Sequence, residues 1–237
     1  MNFKDKVVII TGGTGGLGFA VTQAFLNAGA KVVVTYTYEE KLNHLKLNVK
    51  NAPGELLALK TDVLDESRVK SMVENVVNKF GRIDVLVNLV GGFLGGVSIV
   101  VTTVEQWDKM INLNLKSAFL CCRHVLPIMM KQKYGRMINI GSKGGLQGTK
   151  GISAYAAFKS GVINFTQSLA AEGKPYNVTA NLVVPGTIDT PDNRRAMPQS
   201  NFSDWVTPDS LAEVILFLSS DAAKDVSAAM IPVYGKS

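Results

Sequence analysis

Short apolar segments alternate with longer segments of helical periodicity along the whole chain, and this alternation limits the possible folds more than any other feature. Segments rich in Val, Ile and Leu predict strands at 7–11, 31–36, 56–60, 83–88, 136–141, 178–183 and 230–233. Helices are predicted at about 16–28, 39–50, 65–80, 104–131, 153–173 and 208–220. Near-continuous apolar strands are typical of a sheet covered by helices on both faces. We therefore expect one α/β domain over residues 1–237, with a doubly wound parallel sheet of about seven strands.

The composition argues against nucleic-acid and membrane partners. The net charge is +6, but Lys and Arg are scattered, and such an excess suits an anionic cofactor or substrate equally well. The longest apolar runs are too short to span a bilayer, and the chain starts without an export signal. The adjacent Cys121 and Cys122 indicate buried thiols rather than a disulfide or a metal site. We expect a cytoplasmic protein that binds no metal.

The first predicted strand runs directly into a glycine-rich turn, T-G-G-T-G-G-L-G at 11–18, and then into a helix. Gly12, Gly16 and Gly18 follow the spacing T-G-x-x-x-G-x-G. Glycines let the backbone approach a phosphate closely, and the N-terminus of the helix offers free N–H groups and a partial positive charge. This position predicts a Rossmann fold that binds a dinucleotide.

A tyrosine and a lysine lie four residues apart in S-A-Y-A-A-F-K-S-G at 153–161. Residues at this spacing share one face of a helix, so the Tyr155 hydroxyl and the Lys159 ammonium can act at the same place. The plain alternative is a pair of amphipathic side chains that emerge from a half-buried helix. A phenol is a weak acid–base group at neutral pH, and a nearby ammonium is expected to lower its pKa.

Five further matches occur in a recognisable order with the glycine turn and the Tyr–Lys pair. They are T-D-V at 61–63, N-L-V-G at 88–91, Asn114 within I-N-L-N-L together with Ser142 thirteen residues before Tyr155, and P-G-T-I-D-T at 185–190. Over nearly its whole length the chain resembles the short-chain dehydrogenases/reductases, and overall the 3-oxoacyl carrier-protein reductases among them. Leu89 and Val90 depart from the usual N-N-A-G.

The resemblance implies hydride transfer between a nicotinamide and a carbonyl or alcohol substrate. It implies Tyr155 as general acid/base, Lys159 as a partner that also binds the nicotinamide ribose, Ser142 as a donor to the substrate oxygen, and Asn114 as the holder of a water. The cofactor contacts that it implies are Gly12, Thr14, Gly16, Leu17, Gly18, Thr35, Tyr36, Thr37, Asp62, Val63, Asn88, Gly91, Tyr155, Lys159, Pro185, Gly186, Ile188 and Thr190.

The end of the second strand bears on the choice between the two nicotinamide dinucleotides. NAD-preferring members carry an acidic residue there, whereas this chain has Tyr36 and then Thr37. It has no Arg or Lys at that place either, and Gly15 replaces the basic residue of many NADP users. Loss of the acid removes repulsion toward a 2′-phosphate, and hydroxyls of Thr35 and Thr37 could donate to it. We expect NADP(H), with NAD(H) possible.

Two segments point to a different substrate. G-G-F-L-G-G at 91–96 and the run at 189–198 are similar to dihydropteridine reductases of the same superfamily, although the acid that those enzymes carry after strand two is absent. A pterin reductase is therefore one alternative, and a non-catalytic dinucleotide sensor is another. Arg194 and Arg195 could meet an anionic tail or face solvent. By resemblance, the helices holding 115–131 and 153–173 pack between subunits, which predicts a homotetramer or homodimer.

Overall fold

The computed structural model describes residues 1–236, and its centre is a seven-stranded sheet in which every pairing is parallel. The strand order is β3-β2-β1-β4-β5-β6-β7. The strands are β1 Val7–Thr11, β2 Lys31–Tyr36, β3 Glu55–Lys60, β4 Val85–Asn88, β5 Gly135–Ile140, β6 Val178–Pro185 and β7 Met230–Val233. All seven predicted strands are present, with ends that differ by at most two residues, and the doubly wound Rossmann fold is confirmed.

Helices cover both faces of this sheet. They are α1 Gly16–Asn27, α2 Glu39–Val49, α3 Glu66–Phe80, α4 Val104–Ile111, α5 Ser117–Gln132, α6 Ser153–Gly173, α7 Pro191–Ala196 and α8 Pro208–Ser219. Alternate residues of one strand serve opposite faces: Val8 and Ile10 pack against α1, α2 and α8, whereas Val7 and Ile9 pack against α3, α5 and α6. This explains why the strands lack an alternation of apolar and polar residues. Within residues 1–236, every helix is too short or too polar to cross a bilayer.

The region predicted as one helix over 104–131 is interrupted by a π-helical turn at Asn112–Lys116. Asn114 lies in this turn, and its Nδ2 donates to the carbonyl oxygens of Met110 and Gly92, both at 3.0 Å. A π turn inserts a residue into the helical ladder and is frequent at functional sites. Hydrophobic periodicity does not register such an insertion, so the sequence prediction of an uninterrupted helix was wrong here. The short helix α7 was also absent from the prediction.

The order of the strands places a crevice at the carboxyl edge of the sheet. From β1 the chain moves outward to β2 and β3 and then returns to β4 on the other side of β1. The last residues of these neighbours, Thr11 and Asn88, are register partners. Ligands of doubly wound sheets bind where the direction of winding changes in this way. The glycine turn after β1 and the segment after β4 therefore face a common space.

Candidate active site

The glycine turn after β1 is fixed by its neighbours on both sides. Gly12 has a φ of 65°, and its N–H donates to Oγ1 of Thr35 at 3.0 Å. The Leu89 N–H donates to Oγ1 of Thr11 at 3.1 Å. A Cβ added to Gly18 would overlap the carbonyl oxygen of Gly12, so α1 can begin this close to the turn only with glycine there. The spacing of the glycines thus has a steric cause.

One cavity lies between the ends of β1, β2, β3 and β4. Its lining includes eight of the residues implied as cofactor contacts, Gly12, Thr14, Thr35, Tyr36, Thr37, Asp62, Val63 and Gly91. Thr35 is only 2% exposed, and its Oγ1 accepts from the Gly12 N–H, so it holds the turn in place. The Tyr36 hydroxyl donates to Glu39 at 3.0 Å. Asp62 accepts from the Leu64 N–H at 2.9 Å.

The remaining implied contacts are distributed more widely. Pro185, Gly186 and Ile188 line a second cavity, described below. Gly16 abuts Thr190, since an added Cβ would come within 2.8 Å of its methyl group, and Leu17 packs against the core. Asn88 is not among the residues that line either cavity. Its side chain is buried, and its Nδ2 donates to Oδ1 of Asn139 at 2.9 Å.

A second cavity of about 590 Å³ adjoins the first and contains all four predicted catalytic residues, Asn114, Ser142, Tyr155 and Lys159. Leu89 and Gly91 line both cavities. Ser142 follows β5, Tyr155 and Lys159 lie one turn apart on α6, and Asn114 comes from the π turn. The structure thus brings together four residues from three separate parts of the chain.

Lys159 is held in a buried position. It is 6% exposed, and its Nζ donates to the carbonyl oxygen of Ile140 at 2.9 Å. A Cβ added to Gly91 would lie 3.7 Å from this Nζ and 3.1 Å from Oδ1 of Asn114, so both polar groups point at the Gly91 backbone. The Asn114 oxygen also accepts from the Gly92 N–H at 3.3 Å. The amide of Asn114 therefore fixes the segment after β4 directly.

The acid–base properties of Tyr155 and Lys159 are set mainly by burial. Burial raises the pKa of Tyr155 from its ordinary value of 10.0, and the interaction with Ser142 lowers it in part. Burial alone lowers the pKa of Lys159 from 10.5 to about 8. The Lys159 Nζ lies 5.8 Å from the centroid of the Tyr155 ring. The expectation that the ammonium lowers the tyrosine pKa is therefore wrong for the protein alone, because desolvation of the phenolate dominates.

Aromatic and aliphatic side chains form the outer part of the second cavity. The Phe93 ring meets the Tyr155 ring edge to face, with centroids 4.9 Å apart, and Phe93 is 68% exposed. Ile152 and Met197 complete this rim. Trp205 packs on Phe202 and does not line this cavity. This part of the rim is therefore apolar and open to solvent.

The two arginines after β6 do not line either cavity. Arg194 forms a two-pronged ion pair with Asp189, through Nε at 2.5 Å and Nη2 at 2.7 Å. Arg195 pairs with Asp192 on the exposed side of α7. Both guanidinium groups thus have partners within this segment.

One basic residue at the first cavity escaped the sequence prediction. Lys41, in the first turn of α2, lines the cavity together with Thr37 and Tyr38. Its Nζ lies 5.5 Å from the centroid of the Tyr38 ring. The prediction considered only the residues directly after β2 and therefore missed a side chain that returns from the next helix. A lysine near the N-terminus of that helix was the available signal, because its long side chain can reach back over the strand end.

The residues present fit a nicotinamide dinucleotide. The clash at Gly18 shows a cradle that a Cβ would fill, at the N-terminus of a helix. Such a terminus stabilises the negative charge of a pyrophosphate. The cavity beside it continues through Gly91 to Tyr155 and Lys159. The family resemblance implies that a dinucleotide along this path has its adenine near Asp62 and Val63 and its nicotinamide near Ile188.

Comparisons with known proteins agree with this geometry. The family model for short chain dehydrogenases matches residues 6–201. The chain is 36% identical to the 3-oxoacyl-(acyl-carrier-protein) reductase of Thermotoga maritima, covering 99% of this chain and 98% of the relative. It is 33% identical to the corresponding reductase of Salmonella typhimurium, with the same coverage.

Solved structures give the same result. Levodione reductase superposes with a TM-score of 0.92 at 32% identity, covering 99% of this chain and 98% of that chain. The protein gox2181 superposes with a TM-score of 0.90 at 31% identity, covering 99% and 96%. This chain therefore belongs to the short-chain dehydrogenase/reductase family and is an NAD(P)-dependent oxidoreductase that acts on carbonyl or alcohol groups.

Proposed function

We propose that this enzyme uses NADPH to reduce a ketone or a 3-oxoacyl group to the alcohol, with Tyr155 as the general acid. The observation that carries this proposal is the placement of Ser142, Tyr155 and Lys159 in one cavity that opens into the dinucleotide cavity. The similarity to two 3-oxoacyl-(acyl-carrier-protein) reductases supports this class of substrate.

The reaction needs a proton at the carbonyl oxygen while the carbonyl carbon gains a hydride. The bound nicotinamide supplies the hydride. Ser142 donates a hydrogen bond to the substrate oxygen and stabilises the negative charge that develops there. Tyr155 transfers its hydroxyl proton to the same oxygen, which completes the alcohol and leaves a phenolate.

Lys159 stabilises this phenolate electrostatically. Its ammonium lies near the Tyr155 ring, in a low-dielectric site where a charge acts more strongly than in water. Because burial raises the pKa of Tyr155 in the protein alone, the proton stays on the hydroxyl until negative charge forms on the substrate. The protonated hydroxyl is the form that reduction of a carbonyl requires.

The preference for NADPH rests on the charge at the far end of the dinucleotide cavity. Lys41 and Thr37 lie there, and Asp62 is the one acidic residue among the described residues that line it. The Glu39 carboxylate accepts from Tyr36 and lies 3.9 Å from Lys60, which holds it outside the lining. We assign Lys41 to the 2′-phosphate of NADPH, where an ammonium serves as a point charge.

Titration calorimetry with NADPH and NADH tests the cofactor assignment. Lys41→Met is expected to weaken NADPH binding by about tenfold, the value of one charge-assisted contact, and to leave NADH binding within about twofold. Lys46→Met, on the exposed side of the same helix, is the matched control. Equal effects of Lys41→Met on both dinucleotides would contradict the assignment.

A pterin substrate is the second candidate, because the 91–96 segment supplies Gly91, Gly92 and Phe93 to the cavity wall beside Tyr155. A panel of 3-oxoacyl thioesters, simple ketones and quinonoid dihydropterin separates the candidates. The pterin assay needs a control without enzyme, since quinonoid pterins are also reduced nonenzymatically. Turnover of the pterin alone would replace the proposed substrate class. A pure sensor has no need of Tyr155, so turnover of any of these compounds excludes that alternative.

A further inference from the structure

The described lining of the substrate cavity carries positive charge and no acidic side chain. Among the described residues that line it, the ionisable cations are Lys143 and Lys159, and none is Asp or Glu. Lys159 is buried at the inner end, where its Nζ donates to Ile140. Lys143 directly follows Ser142 and is exposed at the mouth. One lysine is therefore fixed inside the cavity, and the other is accessible at its mouth.

The backbone that carries Lys143 is held in place. Oγ of Ser142 accepts from the Gly144 N–H at 3.2 Å, and the Ser160 hydroxyl donates to the Gly145 carbonyl oxygen at 2.5 Å. A Cβ on Gly145 would lie 2.9 Å from the backbone of Lys159, so this short 3₁₀ turn packs directly on α6. The Lys143 side chain thus starts from a fixed point beside the hydroxyl that meets the carbonyl oxygen.

Within residues 1–236, the Lys143 ammonium forms no ion pair with an acidic side chain. Among residues 1–236, its Nζ has no carboxylate oxygen within 4.0 Å, and it lies 5.3 Å from the centroid of the Tyr234 ring. The other cations near this side of the cavity, Arg194 and Arg195, already pair with Asp189 and Asp192. Among the described residues that line the mouth, Lys143 is therefore the cation that remains available for an anionic ligand.

We infer that the physiological substrate is an oxocarboxylate, a ketone that carries a carboxylate within a few bonds of the carbonyl, and that Lys143 binds this carboxylate. The inference rests on the proposed function and names its substrate class. With the ketone oxygen at Ser142 and Tyr155, a carboxylate on one side of the carbonyl can reach the neighbouring ammonium. The apolar remainder on the other side then meets the rim of Phe93, Ile152 and Met197.

The test compares two substrates of equal shape, 4-oxopentanoate and its primary amide 4-oxopentanamide. For the wild-type enzyme with NADPH, kcat/KM is expected to be about tenfold higher for the carboxylate, the usual value of a charge-assisted contact at a partly exposed site. Lys143→Met should reduce this ratio to about one by raising KM, since the contact exists in the ground state as well. Lys143→Glu should bring the ratio below one.

Two controls separate charge recognition from damage to the enzyme. Lys150→Met removes a nearby exposed lysine that does not line the cavity, and it should preserve the tenfold ratio. Raising the ionic strength should lower the wild-type ratio and leave that of Lys143→Met unchanged. Activity of Lys143→Met toward the neutral amide verifies that the catalytic residues remain in place.

The outcomes are distinguishable from failure of the proposed function. If the wild-type enzyme reduces neither compound nor any ketone of the panel, the proposed function fails, and this inference falls with it. If the enzyme reduces neutral ketones, the proposed function stands. The oxocarboxylate assignment is then overturned by any of three results: a preference for the amide, no activity with either oxopentanoyl compound, or the same carboxylate-to-amide ratio with and without Lys143.

Discussion

Replacement of Lys159 by methionine should stabilise the protein while it abolishes catalysis. A buried ammonium is costly, and the fall of the Lys159 pKa from 10.5 to about 8 measures that cost. At 1.36 kcal/mol per pH unit, this corresponds to about 3 kcal/mol at neutral pH. Loss of the hydrogen bond to the Ile140 carbonyl oxygen destabilises the variant by about 1–2 kcal/mol. Methionine has a similar shape and no charge, so we expect a net gain of about 1–2 kcal/mol for Lys159→Met.

The sign of the pH dependence follows from the direction of this shift. The folded-state pKa of Lys159 lies below the unfolded value, so the unfolded chain binds more protons between about pH 8 and 10.5. Wild-type stability therefore gains from Lys159 as the pH rises through this window, and the methionine variant lacks that gain. The advantage of Lys159→Met should be full below pH 8 and should disappear toward pH 10.

Equilibrium unfolding in urea at pH 7.0 and pH 9.5, without nucleotide and at equal protomer concentration, measures this difference. Other groups titrate in both proteins and cancel from the comparison. Lys150→Met, at an exposed position, should match the wild type at both pH values. A Lys159→Met variant that is less stable than the wild type by the same amount at both pH values would refute the reasoning, because the cost of the buried charge would then be absent.

Three further outcomes are expected. Tyr155→Phe should lower kcat by at least about 10³-fold, as loss of the proton donor implies, and should leave the NADPH Kd from calorimetry within about twofold. Gly18→Ala should weaken NADPH binding by more than tenfold, because its Cβ would displace the Gly12 carbonyl; unchanged affinity would show that the turn can adapt. Phe119 on α5 is 40% exposed beside Phe165 on α6. Sedimentation should show a dimer or tetramer, and Phe119→Glu should shift it toward monomer; a monomeric wild-type protein would remove this hypothesis.

The fold was predictable from the sequence because one physical pattern sets most of it. Strands such as β1, with Val7 and Ile9 on one face and Val8 and Ile10 on the other, must be covered on both sides. That requirement leaves little besides a parallel sheet with alternating helices. The glycine turn was also predictable, because a Cβ at position 18 would overlap the Gly12 carbonyl oxygen. Only glycine fits there, and the resulting spacing of glycines is visible in the sequence.

Other features of the site depend on contacts between segments that are distant in sequence. Thr35 accepts a hydrogen bond from the Gly12 N–H, 23 residues away in sequence. A β-branched residue in a strand does not by itself indicate such a contact. Lys41 reaches the dinucleotide cavity only because of the direction in which α2 leaves β2. The direction of the Tyr155 pKa shift depends on how deeply α6 packs, which no local pattern encodes.

The buried amide of Asn88 shows how the sheet positions the helix that carries Tyr155 and Lys159. Asn88 donates to Asn139 in β5, and Asn139 donates to Thr166 at 2.9 Å, so three buried polar side chains link β4, β5 and α6. Thr166 lies seven residues after Lys159, two turns along the same face of α6. Movement of α6 along the sheet would break these hydrogen bonds. Each polar group left unsatisfied in the interior costs about 1–3 kcal/mol, so the hydrogen bonds together hold α6 in position. Through Asn139 and Thr166, Asn88 therefore helps to fix the helix that holds Tyr155 and Lys159 beside Ser142.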